Sequence, residues 1–330
     1  MTVARRSAGD LLAAIDIGGT KVKIGLADAS GRLLACDELP SGQQIEAPEL
    51  LRAIRSRLDA LTERAGVTAG TTDTATIVAA GVVSPGVVSD GGVGLAPNNP
   101  GMSELSLAEI TRTLGVPRLA WANDVKAAAW AEHAWGGLRG AKCGLYLNLG
   151  TGLSAGAVIE GRPFHGANGA ALEIGYLLPS GGYGPGHRSG KAPLEDLISG
   201  RALQDRAAEC GLNGLRASDI LTALTDAGSR RFPAEQLALA EEFLDQFTRA
   251  AVNLAVAFDA DAICLGGGIA GSADAFIEPL RGMLDEYAPF PPRVSVAERP
   301  DDSSLFGALR VALDLVGLPP EQVPSPVTPC

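Results

Sequence analysis

The hydrophobic pattern near the start of the chain predicts a β-hairpin. Residues 11–15 form an apolar run, and apolar residues then alternate with Lys23 and Gly25 over residues 22–26, as in a strand with two unlike faces. Glycines without a Cβ let backbone N–H groups approach an anion closely, so the turn suits a phosphate. This first glycine turn (residues 18–20) and its flanks carry Asp16, Gly18, Gly19, Thr20 and Lys21.

The same pattern returns near the middle of the chain. An apolar strand at residues 145–149 runs into a second glycine turn (residues 150–152), and residues 156–159 return as a strand. A third glycine cluster follows the apolar run 262–265. Two such hairpins predict two related half-structures that face each other across a nucleotide. The residues concerned are Gly150, Thr151, Gly152, Gly267 and Gly268.

The rest of the chain shows both strand and helix periodicity. Apolar residues recur at helical spacing over residues 48–66, and residues 203–258 are largely helical in pattern. The small residues Gly307 and Ala308 in the last predicted helix would allow close packing on the first domain. Further helices are predicted at 105–114, 125–135, 273–286 and 303–316, and further strands at 33–39, 76–83 and 116–121.

Composition and charge narrow the class of protein. With 330 residues, 46% of them hydrophobic and 20% charged, the chain is long enough for two globular domains. A net charge of −11 argues against a nucleic-acid surface, which needs a basic face. No apolar stretch approaches the roughly 20 residues of a spanning helix, and the first residues do not form a signal peptide pattern.

The five cysteines stand far apart in the sequence, and most lie in apolar strands. A scattered, odd-numbered set of this kind is typical of reduced thiols. We therefore expect a cytoplasmic protein.

Two acids stand where they could act on a phosphoryl group. Asp16 ends the first strand and could hold a hydrated Mg²⁺, while Thr20 could donate to a phosphoryl oxygen. Asp124 lies between a predicted strand and the helix at 125–135. It could cap that helix, or its carboxylate could accept the proton of an attacking hydroxyl. Both roles can be filled at neighbouring positions, because Asn123 precedes it.

Other motifs fit less well. Residues 266–271 match the spacing of a dinucleotide fingerprint, but that pattern is short and follows two phosphate turns. The three histidines lack metal-ligand spacing and are interpreted as surface or packing residues: His133, His165 and His187.

In their order, the three glycine segments resemble the phosphate-1, phosphate-2 and adenosine motifs of the sugar kinase/actin/Hsp70 superfamily. Further motifs are similar to its ROK family (repressors, open reading frames and sugar kinases) over roughly residues 12–315. The resemblance implies an α/β protein with the two-domain actin-like ATPase (ribonuclease H-like) fold and an interdomain cleft. It implies a smaller domain of residues 1–122 plus about 303–330, and a larger domain of residues 123–302.

The resemblance also implies the site residues. ATP and Mg²⁺ would bind at the glycine turns, with Asp16 holding the metal through water, and Asp124 would be the catalytic base. The phosphate-2 motif departs at Ser154 and Ala155, where two more glycines are usual. The family's sugar-binding positions fall on Asn98, Asn123, Glu173, Tyr176 and Glu195.

The chain departs from the family at its zinc motif. ROK proteins usually bind structural zinc through three cysteines and the histidine of a Glu-x-Gly-His motif. Residues 186–195 contain no cysteine, and Tyr176 replaces that histidine. A tetrahedral site cannot survive the loss of all four ligands. We expect no zinc site, a loop fixed instead by contacts such as Arg188 or Lys191 with an acid, and a pocket reshaped around C1 and C2 of the sugar.

The function expected is that of an ATP-dependent kinase acting on the primary hydroxyl of a hexose, like a glucokinase. A kinase for a glucose-like C7 cyclitol of secondary metabolism is one alternative. A non-catalytic ROK regulator is another, although the 14 residues before Ile15 are too few for the helix-turn-helix of ROK repressors. The expected partners are a small-molecule substrate and a second copy of the chain, with no nucleic acid and no membrane. Whether ATP or polyphosphate is the donor stays open.

Overall fold

The chain forms two compact units in the computed structural model. Unit 1 comprises Met1–Trp135, His165–Ala170 and Asp302–Cys330, and unit 2 comprises Gly136–Phe164 and Ala171–Asp301. The structure describes residues 9–41, 46–69, 75–89, 92–94, 105–182, 184–225, 232–319, 322–323 and 325.

Unit 1 is built on a mixed five-stranded sheet. Its strands are β1 (Asp10–Ile17), β2 (Lys21–Asp28), β3 (Leu33–Pro40), β4 (Thr76–Ser84) and β7 (Leu119–Asn123). They lie in the order β3-β2-β1-β4-β7, with the first three antiparallel and β1, β4 and β7 parallel. The predicted hairpin is therefore confirmed as β1 and β2. A separate short hairpin, which the sequence did not predict, joins β5 (Val87–Ser89) to β6 (Gly92–Gly94).

Helices cover both faces of this sheet. On one face, α1 (Ala47–Ala69) packs beside α2 (Leu107–Leu114) and buries the apolar positions predicted from its helical spacing, such as Ile54 and Leu58. The other face is covered by α9 (Ser303–Leu315), beside α3 (Asp124–Trp135). Because both faces are covered, β2 is buried over almost its whole length.

Helix α9 approaches its neighbours at glycine positions. Gly81 lies in β4, and a Cβ at this position would overlap the carbonyl oxygen of Ala308. At Gly307, a Cβ would lie 2.5 Å from the carbonyl carbon of Ala127 in α3. The close packing predicted from Gly307 and Ala308 is confirmed.

The same helix accounts for the boundary of unit 1. The guanidinium of Arg310 lies 4.0 Å from the centre of the Trp130 ring, and the hydroxyl of Ser303 donates to Glu132 at 3.2 Å. These contacts join α9 to α3, so α3 is part of unit 1. The family resemblance implies a boundary between residues 122 and 123, whereas the first segment of unit 1 runs on to Trp135.

Unit 2 repeats the sheet of unit 1. Its strands are β8 (Cys143–Leu149), β9 (Leu153–Ile159), β10 (Arg162–Pro163), β11 (Ala262–Gly266) and β12 (Arg293–Val296). The order β10-β9-β8-β11-β12 has three antiparallel strands followed by parallel pairs, as in unit 1. The two hairpins thus do belong to two half-structures of the same topology.

Five helices build the rest of unit 2. They are α4 (Glu195–Ile198), α5 (Gly200–Glu209), α6 (Ala217–Leu221), α7 (Ala234–Phe258) and α8 (Ile277–Tyr287). In its core, the rings of Phe243, Phe247 and Phe276 pack with centroids 5.5–5.6 Å apart. Over the described part of the chain, no helix combines the length and apolar character needed to cross a membrane.

The cysteines differ from expectation at one position. Cys143, Cys210 and Cys264 are free thiols, as predicted. Cys36 in β3 is disulfide-bonded, so the prediction of reduced thiols is wrong for this residue.

The packing of α9 on β4 can be tested by adding one methyl group. Gly81→Ala is expected to lower the free energy of unfolding by about 3 kcal/mol, because the methyl group must push α9 away from β4. The protein's three tryptophans all lie in unit 1, so urea unfolding followed by tryptophan fluorescence reports on this unit: Trp121, Trp130 and Trp135.

Gly94→Ala is the matched control, because a Cβ at Gly94 has no described atom within 4 Å. It should change the free energy of unfolding by no more than about 0.5 kcal/mol. Equal unfolding midpoints for the two variants would contradict the close approach at Gly81.

Candidate functional site

The predicted site residues that the structure describes form two sets, one in each unit. Unit 1 holds Asp16, Gly18, Gly19, Thr20, Lys21, Asn123 and Asp124, and unit 2 holds Gly150, Thr151, Gly152, Glu173, Tyr176, Glu195, Gly267 and Gly268. The remaining predicted residue, Asn98, lies outside the described residues.

The first glycine turn is held by a residue that the sequence did not single out. Within the turn, the Gly18 N–H donates to the Lys21 carbonyl at 3.0 Å. Buried Ser41, just beyond β3, donates its hydroxyl to the Gly18 carbonyl at 2.6 Å and its N–H to the Thr20 carbonyl at 3.0 Å. The turn is therefore anchored from outside, with Thr20 exposed at its end.

Asp16 lies in an environment that disfavours its negative charge. Burial is the largest cause, the charge of Asp124 is the second, and together they raise the pKa of Asp16 to about 7. The positive charges of Lys23 and Lys21 act in the opposite direction. A carboxylate that repels a neighbouring carboxylate would be stabilised by a hard cation with oxygen ligands, so these residues fit Mg²⁺.

No cluster of three or more metal-ligating side chains occurs among the described residues. In phosphoryl-transfer sites, Mg²⁺ is usually bound through one or two carboxylates, water and substrate phosphates. Asp16 would hold such an ion, which would offset the charge of the phosphate oxygens.

An ion pair between a buried lysine and a partly buried aspartate lies next to Asp16. Lys23 is the cross-strand partner of Asp16 in the β1–β2 ladder, and its Nζ is 2.5 Å from Oδ1 of Asp302. Asp302 immediately precedes α9, so the pair ties that helix to the hairpin. The sequence alternation placed Lys23 on a polar face. In the sequence, the only sign of the Lys23–Asp302 ion pair is that an acid stands directly before the last predicted helix.

Asn123 fills the capping role that was considered for Asp124. The Asn123 side chain caps α3 by accepting the Lys126 N–H at 2.9 Å. Its amide group donates to the Gly86 carbonyl at 2.9 Å and to Oδ1 of Asp124 at 3.1 Å. The same Oδ1 accepts the Val125 N–H at 2.8 Å. One carboxylate oxygen of Asp124 is thus fixed in position, and Asn123 acts as the cap and the orienting group.

Lys21 is the predicted phosphate-binding cation of the first turn. It is exposed, and its Nζ lies 3.1 Å from the Glu38 carboxylate, which is also exposed. An exposed pair of this kind contributes at most about 1 kcal/mol, so Lys21 can exchange this partner for a phosphate at little cost.

In unit 2, the second glycine turn lies directly against the third glycine cluster. Gly267 has φ of +82°, and a Cβ there would be 2.5 Å from the Leu149 carbonyl oxygen at the end of β8. Among the described residues, no atom lies within 4 Å of the position that a Cβ of Gly268 would occupy. The second glycine turn and the third glycine cluster are therefore adjacent within this unit.

Two acids and a tyrosine lie beyond this turn. Tyr176 follows Glu173 within a 3₁₀ turn (Ile174–Tyr176), and Glu195 begins α4. Burial, followed by the charges of Glu173 and Glu195, raises the pKa of Tyr176 above its usual value. The phenol therefore stays protonated near neutral pH and can donate a hydrogen bond.

Backbone strain accompanies Glu173. Leu172, the residue before it, has φ of +59°, which is unusual for a bulky side chain and costs about 1–3 kcal/mol. Its carbonyl accepts the N–H groups of Ala155 at 3.2 Å and Ile174 at 2.7 Å. Nothing in the sequence around Leu172 predicts this backbone conformation.

The segment without zinc ligands has contacts of its own. The ring of Tyr176 meets the ring of His187 edge-on, with centroids 5.4 Å apart and an angle of 86°. Lys191 lies 3.9 Å from the carboxylate of Asp196, but both side chains are exposed, so this pair restrains the loop little. The absence of zinc itself stays a prediction.

Comparisons with known proteins agree with this arrangement of motifs. The profile of the ROK family matches residues 12–314. A glucokinase of Streptomyces coelicolor is 29% identical over 284 residues, covering 81% of this chain and 84% of that protein. An N-acetylmannosamine kinase of Salmonella arizonae is 30% identical over 307 residues, covering 91% of this chain and 97% of that protein.

Solved structures are similar over almost the whole length. The ROK hexokinase from Thermus thermophilus gives a TM-score of 0.72 at 28% identity and covers 93% of this chain and 99% of that chain. A ROK family glucokinase from Streptomyces griseus, solved with glucose and AMPPNP, gives 0.70 at 24% identity and covers 92% and 99%. The predicted α/β fold of the actin-like ATPase type is confirmed. Since the family profile covers most of its length, the chain belongs to the ROK family.

Proposed function

We propose that this protein is an ATP-dependent sugar kinase that phosphorylates the primary hydroxyl of a hexose or of a closely similar ring. The observation that carries the proposal is the carboxylate of Asp124, fixed at the start of α3 and close enough to Asp16 for their charges to interact. The relatives named as glucokinase and N-acetylmannosamine kinase support a sugar as the acceptor.

In the proposed reaction, Asp124 accepts the proton of the attacking hydroxyl as its oxygen bonds to the γ-phosphorus of ATP. Asn123 keeps the carboxylate in place, since its amide donates to Oδ1. ADP leaves with the electron pair of the broken phosphorus–oxygen bond. Most of the rate enhancement in phosphoryl transfer comes from positioning and charge stabilisation rather than from covalent catalysis.

The other proposed roles fall to the glycine turns, Asp16 and the predicted sugar-binding residues. Backbone N–H groups of both glycine turns and the side chains of Thr20 and Lys21 would bind phosphate oxygens. Bound Mg²⁺, held by Asp16 through water, would supply positive charge to the phosphates. The sugar hydroxyls would be bound by Asn98, Asn123, Glu173, Tyr176 and Glu195.

The role of Asp124 is tested by a substitution that preserves its hydrogen bonds. Asp124→Asn should lower kcat by about 100-fold or more, because the amide cannot take up the proton. The amide oxygen can still accept the Val125 N–H, so α3 should keep its start. The measurement is steady-state turnover in a coupled ADP assay, with circular dichroism to check the fold.

Asp59→Asn is the control for this experiment, because Asp59 is an exposed acid of the same unit that pairs with Arg55 on α1. It should leave kcat unchanged. Near-normal turnover by folded Asp124→Asn would remove Asp124 from the catalytic role.

The set of candidate substrates can be narrowed by substituting Tyr176. A phenol that binds a particular hydroxyl discriminates strongly against analogues that lack it. We expect kcat/KM to be higher for a ring modified at C1, such as a C7 cyclitol, than for glucose. Tyr176→Phe should change the ratio of kcat/KM between these substrates by about tenfold, with a smaller change in kcat.

The panel for this test includes glucose, mannose, N-acetylmannosamine and a C7 cyclitol. Glucose as the best substrate, with a ratio that Tyr176→Phe does not change, would contradict a pocket reshaped by Tyr176.

Zinc content gives a separate prediction. Because tyrosine and a cysteine-free segment stand where the family has its ligands, the purified protein should contain far less than one zinc per chain. Elemental analysis after dialysis measures this directly. One equivalent of zinc per chain would show that other residues supply the ligands.

A further inference from the structure

We infer that Glu195 is a positioning residue that holds the second glycine turn in its nucleotide-binding shape, in addition to any contact with sugar. The inference rests on the proposed function for the identity of the nucleotide. Its structural basis is a single hydrogen bond, in which the Leu153 N–H donates to Oε2 of Glu195 at 2.7 Å. Leu153 is the first residue of β9, immediately after the turn.

The carboxylate lies against the turn itself. A Cβ placed on Gly152 would be 2.7 Å from Oε2 of Glu195. The turn has one internal backbone hydrogen bond, from the Gly150 N–H to the Gly152 carbonyl at 3.1 Å. Two flexible glycines and one such bond define the turn weakly, so an oxygen acceptor for the first N–H of its exit strand adds restraint.

The position of Glu195 is itself fixed. A Cβ on Gly175 would be 3.0 Å from the Cβ of Glu195, so the glycine of the Glu-x-Gly motif makes room for this side chain. The Leu194 N–H donates to the Gly175 carbonyl at 3.0 Å, and buried Ile198 anchors α4 in the core. The Glu195 side chain is thus held by α4, which packs in the core. Burial raises the pKa of its carboxyl above the usual value.

The residues that follow α4 hold the other side of the turn. The Gly200 N–H donates to the Gly150 carbonyl at 3.0 Å, and the Arg201 N–H donates to the Thr151 carbonyl at 3.2 Å. A Cβ on Gly200 would be 2.5 Å from the Gly150 oxygen. Segment 195–201 therefore forms hydrogen bonds at both the start and the end of the turn. Among the described contacts, Glu195 is the only side chain of this segment with a hydrogen bond to the turn or its exit strand.

This arrangement separates two possible roles of Glu195 by their chemistry. Holding Leu153 requires an oxygen acceptor and no charge, so glutamine can replace glutamate. Binding a sugar hydroxyl as a charged acceptor is weakened in Glu195→Gln and Glu195→Leu alike. Nucleotide affinity measured without sugar therefore reports on the positioning role alone.

The experiment titrates AMPPNP with Mg²⁺ into the full-length protein by calorimetry, without sugar. Glu195→Leu should weaken the affinity by about tenfold, since a buried N–H loses its acceptor and the turn loosens. Glu195→Gln should stay within about twofold of the parent protein, although its KM for the sugar rises. Asp196→Leu, which removes the exposed acid next in the chain, is the matched control and should leave the affinity unchanged.

Amide hydrogen exchange provides a readout that needs no ligand. Peptides covering residues 149–153 should exchange faster in Glu195→Leu than in Glu195→Gln or Asp196→Leu. Glu195→Ala substitutes for Glu195→Leu if the larger side chain prevents folding. Equal exchange and equal nucleotide affinity in all variants would overturn the inference. Failure of the parent protein to bind AMPPNP would instead count against the proposed function, and the exchange data would still decide the role of Glu195.

Discussion

Helix α9 lies so close to β4 that one methyl group at position 81 would overlap the Ala308 carbonyl. The helix also contacts β1, whose end carries Asp16, and α3, whose first residue is Asp124. Because backbones in direct contact leave little room to shift, α9 fixes both acids without contributing either. The Lys23–Asp302 ion pair adds a tether at the strand position opposite Asp16.

The two glycine turns are held in comparable ways. A turn made of glycines can approach an anion closely, but it has no side chains with which to hold its own shape. In unit 1, the hydroxyl and N–H of Ser41 hold the first turn. In unit 2, Glu195 and the N–H groups at the start of α5 hold the second. Each turn therefore combines open backbone groups with a fixed frame supplied by a neighbouring segment.

The spacing of apolar residues was sufficient to predict the long strands and most helices, because a long element repeats this spacing several times. Both turns followed from the glycines at the ends of the predicted strands. Strands β10 and β12, of two and four residues, are too short for any period to appear. Burial of Lys23 could not be predicted from its own strand, since the helix that covers it comes from residues 303–315. The Glu195–Leu153 bond joins residues 42 apart, and nothing local marks such a partner. The motif resemblance identified Glu195 as a site residue, but its hydrogen-bond partner is known only from the fold.

The early strands and α9 meet in the core of unit 1, and this sets an order for folding during synthesis. Buried Leu12 and Ala79 on the early strands pack against Leu305 and Leu309 of α9. During synthesis, α9 emerges from the ribosome after every described strand and helix of unit 2. The α9-facing side of the first sheet therefore stays uncovered for most of translation and is open to chaperones. Truncation before α9 would leave unit 2 with all its elements and unit 1 with an apolar face exposed to solvent.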